Sequence, residues 1–146
     1  MNWYILLKPL LGVLPSAFKT ATADFKRKSD DFKYSLEESL LQINKLKNNG
    51  SLMQVAEFLR YKYHHYNQKN LILAFEECIS QADKADFNNA FNRLDQSISR
   101  LHSGQHIDQS DNQIILNDIE PAMIDLLKFA SLPRKLLNST GKQLHR

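Results

Sequence analysis

The stretch Asp86–His102, DFNNAFNRLDQSISRLH, carries Phe87, Ala90, Phe91, Leu94, Ile98 and Leu101 at steps of 3, 1, 3, 4 and 3. That spacing draws one face of a helix with about 3.6 residues per turn. Asn88, Asn89, Asn92, Arg93, Asp95, Gln96, Ser99 and Arg100 fall on the other face. Ser103-Gly104 is expected to end the helix, because glycine reaches the left-handed C-cap conformation at little cost. A long amphipathic helix at this point sets the expectation for the whole chain.

The same pattern extends upstream. Ser51 suits an N-cap, since its hydroxyl can accept a bond from an amide one turn on. Leu52, Val55, Ala56, Leu59 and Tyr63 follow at helical spacing. Asn67 or Asn70 is expected to cap the next helix, which holds Leu71, Ile72, Leu73, Ala74, Phe75, Cys78, Ile79 and Ala82. Because Leu71–Phe75 is apolar around most of its circumference, this helix reads as the most covered one. A weak echo at 35 residues aligns Leu52, Val55, Ala56 and Leu59 with Phe87, Ala90, Phe91 and Leu94. Ala85–Phe91 bears a slight resemblance to the second helix of a tetratricopeptide hairpin, a repeat of similar period. The preceding helix lacks that family's small and aromatic residues in register.

Before Ser51 a helix is expected from Ala17 to about Lys47, capped by Ser16. Phe18, Phe25 and Phe32 recur at seven, and Leu36, Leu40 and Ile43 continue the face. Asn48-Asn49-Gly50 stops it, with glycine as the C-cap. After the polar loop Gly104–Asp111, Ser110 or Asp111 is expected to cap a short segment carrying Ile114, Ile115 and Leu116. Asp118-Ile119-Glu120-Pro121 then reads as a fresh helix start with proline in its first turn. Ala122, Met123, Leu126, Leu127 and Ala130 form its apolar face, Pro133 ends or kinks it, and Asn138–Arg146 frays. The expectation is therefore an all-α, single-domain bundle of about five helices. It has a long first helix, a helical-hairpin repeat as one option for its middle, and segments at 1–15 (apolar), 16–137 (helical domain) and 138–146 (basic tail).

Composition agrees. The chain has 146 residues, 42% hydrophobic and 24% charged, ordinary values for one globular domain. A single cysteine, Cys78, rules out an internal disulfide and reads as an inert core thiol. The net charge of +3 is unevenly spread. Residues 1–28 carry +4, residues 126–146 carry +5 and the body between carries −6.

Residues 1–18 are unusual. Lys8, Pro9, Gly12 and Pro15 interrupt the apolar run, so it falls short of the about 20 residues of a membrane-spanning helix. As a signal peptide its order is wrong, with the apolar residues placed before the basic one. It remains a segment that packs on its own bundle, on a membrane surface or on a partner. Trp3, Tyr4, Leu6, Leu7, Leu10, Leu11 and Leu14, followed by Lys26, Arg27 and Lys28, are its contact candidates. A second run, Arg60, Tyr61, Lys62, Tyr63 and Tyr66, interleaves cations with aromatic rings as a single-stranded nucleic-acid patch does. No known nucleic-acid motif surrounds it, and the body is acidic. His64 and His65 diverge on a helix. His102 and His106, four apart, lie across Gly104 in a loop and lack the intervening acid of a metalloprotease motif. Ser139-Thr140-Gly141-Lys142 lacks the glycine spacing of a phosphate loop. The carboxylate pairs Asp30-Asp31, Glu37-Glu38 and Glu76-Glu77 point apart.

These features favour a non-enzymatic interaction module: an adaptor, accessory subunit or chaperone-like binder with a protein partner or a second copy of itself. A peripheral membrane protein anchored through its N-terminal segment is the alternative, and a nucleic-acid binder a weaker one. No cofactor, metal or small-molecule substrate is expected. The reading places the chain in the cytoplasm, at the inner face of a membrane if the N-terminal segment is interfacial.

Overall fold

A computed structural model describes residues 15–131, with side chains over 23–130. Five helical stretches form an all-α bundle with no strand among the described residues. Helix α1 spans Pro15–Lys47, α2 Leu52–His65, α3 Gln68–Glu76 and α4 Lys84–Ser99. Helix α5 runs unbroken through Gln109–Ile114, a widened π-turn at Ile115–Ile119, and Glu120–Lys128. No described helix is long and apolar enough to cross a membrane.

The apolar faces read from the sequence meet in one core. Helix α1 contributes Phe32, Leu36 and Ile43, and α2 contributes Val55, Ala56, Leu59 and Tyr63. Phe87, Ala90, Leu94 and Ile98 come from α4; Ile115, Ile119, Ala122, Met123 and Leu126 come from α5. At the centre Phe32 stacks on Phe75 with ring centroids 4.2 Å apart, and Phe87 lies 6.3 and 6.4 Å from those two rings. One aromatic cluster thus joins α1, α3 and α4.

Helix α3, expected to be the most covered, is the least exposed of the five, with Asn70 and Leu73 its exposed residues, but what it buries is one face. It has nine residues, its apolar burial is limited to Ile72 and Phe75, and Leu73 is 42% exposed. A helix this short offers one face to the bundle, and the rest of an apolar run must point outward. Its other buried residue is polar. Gln68 Nε2 donates to Ser39 Oγ at 2.9 Å and to Ser35 Oγ and O at 3.1 Å. The small serines of α1 let α3 approach closely, and the amide fixes its register there. Cys78 lies beyond the end of α3, in a turn, and is half-buried rather than a core thiol. The 35-residue echo stops after one helix, because α3 has nine residues where its counterpart α5 is long and carries a π-turn.

The helix ends also differ from the sequence reading, each for a local reason. Pro15, not Ala17, opens α1. At its far end Asn49, with φ of 69°, takes the left-handed position, and the Gly50 N–H donates back to the Lys45 carbonyl at 2.7 Å. Glycine is needed at position 50 for space, since a Cβ there would sit 2.5 Å from that oxygen. Ser51 caps α2 as expected, accepting from the Gln54 amide at 3.2 Å. Asn67 precedes α3 in the left-handed conformation, without a side-chain cap. Helix α4 ends at Ser99, ahead of Gly104, which lies in the following loop with φ of 55°.

The largest correction concerns α5. Asp108 caps it, while Asp111 reaches back to the Asp108 amide at 2.9 Å. Pro121 does not begin a helix; it sits within one. Its ring lacks an N–H and crowds the carbonyl four residues earlier. The helix widens there: the Glu120 amide bonds five residues back, to Ile115 O. The Asn117 carbonyl, to which proline at 121 can offer no N–H, accepts from Arg93 of α4 at 3.2 Å.

Candidate interaction face

The large apolar side chains exposed to solvent are concentrated. Of seven, Tyr34 and Leu41 lie on α1, Met53 and Tyr61 on α2, and Tyr66 just after α2. Only Leu73 and Ile124 lie elsewhere among the described residues. Tyr34 and Leu41, seven apart, share one stripe of α1, and they are 65% and 63% exposed. On α2, Met53, Gln54, Glu57, Phe58 and Tyr61 line a shallow open hollow. Tyr61 packs against Tyr66 edge to face at 4.9 Å and against the His65 ring at 4.8 Å.

Ionic contacts tie the two helices together at this face. Lys62 of α2 bonds Glu38 of α1, and Tyr34 Oη donates to Glu38 at 3.0 Å. The Lys62 ammonium and then the Tyr34 hydroxyl hold the Glu38 carboxyl below its ordinary value despite partial burial. The Glu38 carboxylate in turn raises the Tyr34 phenol. The Lys62 ammonium also lies 5.8 Å over the Phe58 ring. Arg60 pairs with Glu57.

The aromatic–basic run is divided between the core and the surface. Tyr63 is fully buried and donates to Asp95 of α4 at 2.7 Å. Burial first, then Asp95, pushes its phenol far above the ordinary range. Its ring faces the core because residue 63 continues the Val55, Ala56, Leu59 stripe, so it offers no surface for a base to stack on. Of the named patch, Tyr61 and Tyr66 remain exposed, while Arg60 and Lys62 are neutralised by carboxylates. Lys69 joins Asp95 at 3.3 Å.

The basic trio near the N-terminal end is likewise paired. Lys26 meets Asp30 at 3.0 Å, Arg27 meets Asp24 at 2.9 Å, and Lys28 bridges Asp24 at 3.2 Å and Glu77 at 3.3 Å. Arg27 and then Lys28 lower the Asp24 carboxyl. Trp3, Tyr4, Leu6, Leu7, Leu10, Leu11 and Leu14 lie outside the described residues.

Two further polar clusters are built by α4, α5 and the loop between them. Asp83, Asp86, Arg93, Asp125, Lys128 and Phe129 line an open groove between the start of α4 and the end of α5. Asp125 there contacts both Arg93 and Lys128, at 3.9 and 3.4 Å. The second cluster, missed from the sequence, gathers His102, Asp108 and Asp111, whose ligand atoms lie within 4.8 Å of one another. Asp111 is fully buried. Its Oδ1 accepts the His102 amide at 2.8 Å; its Oδ2 accepts the Asp108 amide at 2.9 Å and meets His102 Nδ1 at 3.0 Å. Asp108 Oδ1 accepts from the Ser110 amide and hydroxyl. With three carboxylate oxygens engaged by N–H and O–H donors, the arrangement is a helix cap in which His102 takes part, not an open metal site. The sequence signal available was the capping pattern of Asp108 and Asp111 three apart.

Comparison with protein-family models, with curated proteins and with solved structures finds no match to this chain.

Proposed function

We propose that the chain is a non-enzymatic helical interaction module, an adaptor, accessory subunit or chaperone-like binder, that docks a protein partner on the outer face of α1 and α2. The observation that carries this reading is that Tyr34, Leu41, Met53, Tyr61 and Tyr66, five of the seven exposed large apolar side chains among the described residues, lie on α1, α2 and the turn after α2, two helices bridged by Glu38 and Lys62. Scattered exposed apolar residues are unremarkable, whereas grouped ones mark contact surfaces. Tyrosines among them add contact area at low entropic cost, as at binding hot spots. The cations within the face are paired to Glu38 and Glu57, so the face offers apolar contact in place of an attraction for phosphate. This favours a protein over a nucleic acid. The membrane alternative draws no support from Lys26, Arg27 and Lys28, each already paired to acids.

The test is photo-crosslinking in cells from position 41 or 61, with exposed Gln113 on α5 as the control position. The partner captured is then purified and titrated by calorimetry against wild type and a Leu41→Ser/Tyr61→Ser/Tyr66→Ser variant. Expected are a shared protein crosslink at 41 and 61, absent at 113, and a loss of at least about 30-fold in affinity, one hot spot's worth. The variant's melt should stay within a few degrees of wild type. Crosslinks to RNA or lipid, or equal capture at 113, overturn the reading. A crosslink to a second copy identifies the partner as the chain itself.

A further inference from the structure

We propose that His102 and Asp111 form a proton-linked latch, which pins the α4–α5 loop to the first turn of α5 and loosens when the His102 ring loses its proton. The loop is held at two sites. Asp111 takes the His102 amide, the His102 ring and the Asp108 amide. On the α2 side Glu57 accepts the Gly104 amide at 2.8 Å. Asp111 is fully buried, and an ionised carboxylate out of water is costly unless charge and hydrogen bonds compensate it. Among the described residues, the His102 ring is the group in contact with Asp111 that can carry a positive charge. A neutral imidazole still donates from Nδ1 to the ionised carboxylate, so deprotonation keeps a hydrogen bond but removes the ring's positive charge and its coulombic attraction for the buried Asp111.

Besides His102, the loop itself also carries His106. Asp108 and Asp111 face the ring from α5 and its cap. Glu57, on α2, is paired to Arg60, and Arg100, at the end of α4, is paired to Asp118 at 2.8 Å. The Asp111 contact, and to a lesser degree Asp108, raises the ring above its ordinary value. Burial pushes the Asp111 carboxyl up, but the three donors outweigh it and hold it below its ordinary value. The proposal stands apart from the docking reading.

The experiment is an NMR titration of His102 in the full chain. It is paired with amide exchange at His102, Asp108 and a reference amide, Leu94, across the same pH range and corrected for intrinsic chemical rates. The opening equilibrium of the two latch amides should rise with pH by about tenfold for each unit by which the measured His102 pKa exceeds 6.5. Leu94 should not follow. In His102→Asn, which keeps a donor but not the titration, the latch amides should show no such rise. A His102 pKa at or below its ordinary value, or latch protection constant through the titration, overturns the proposal. The wild-type series decides alone if the variant does not fold.

Discussion

Phe75→Ala measures how the bundle is joined. Phe75 is 1% exposed and stacks on Phe32 at 4.2 Å with an interplanar angle of 15°. Phe25 and Phe87 lie at 6.2 and 6.4 Å. Truncation removes the ring from three partners and leaves a cavity between α1, α3 and α4. Large-to-small changes of this kind cost about 3–5 kcal/mol, and the aromatic pairing, worth about 0.5–1.5 kcal/mol, places this site in the upper half. With a urea m-value of about 2 kcal/mol/M, the midpoint should fall by about 2 M. Leu73, two residues away on the same helix and 42% exposed, supplies the internal control. Its truncation should cost about 1 kcal/mol or less, a shift of no more than about 0.5 M. Urea melts followed by far-UV circular dichroism give both values. If Phe75→Ala stays within about 0.5 M of wild type, or Leu73→Ala matches it, α3 does not present one face and the aromatic hub is not what joins the helices.

Tyr63→Phe should destabilise by about 1–2 kcal/mol, since it removes the buried bond to Asp95 and leaves that carboxylate only Lys69; an unchanged chemical-denaturation midpoint contradicts the α2–α4 tether. Gly50→Ala should cost about 1–3 kcal/mol, because its Cβ would meet the Lys45 carbonyl at 2.5 Å. Asn49→Gly, at the left-handed position, should be neutral or stabilising by thermal melt. Stability against pH should carry two limbs from the His102–Asp111 pair. His102 is raised, so its contribution is full below about 6.5 and is lost as pH climbs through the raised value. Asp111 is lowered, so its contribution is full above about 3.8 and is lost as pH falls through the lowered value. The pair therefore contributes most between those two values, and Asp111→Asn should flatten both limbs in a series of urea melts.

The helical class and most helix faces were legible because periodicity is a local property. Phe32, Leu36 and Ile43 on α1, and Phe87, Leu94 and Ile98 on α4, all turn inward as their spacing requires. The capping hydroxyl of Ser51 was equally readable. Interactions that couple distant positions were not. Gln68 with Ser35 and Ser39 is a buried polar contact between residues about thirty apart, invisible to a pattern built from apolar residues. Asp111 was legible as a candidate helix cap, but not as the buried partner of His102, nine positions earlier. Pro121 carried a real signal, but the wrong one of two. A proline in the first turn and a proline inside a widened helix share the same local sequence; what separates them is Arg93, on another helix, answering the Asn117 carbonyl.

The candidate site follows the same logic. Cations at Lys26, Arg27 and Lys28 look available when read singly, but acids three or four residues away already occupy them. That much a helical reading contains, because such spacings place side chains together. The run from Arg60 to Tyr66 is different. Lys62 is answered by Glu38, 24 positions away, and Tyr63 by Asp95, 32 positions away; only the folded bundle brings these together. Once those partners are counted, the charge that suggested phosphate binding is spent. What α1 and α2 still present to solvent is Tyr34, Leu41, Met53, Tyr61 and Tyr66. The docking proposal rests on that remainder: large apolar side chains stay open on α1 and α2 while Arg60 and Lys62 beside them are paired to Glu57 and Glu38.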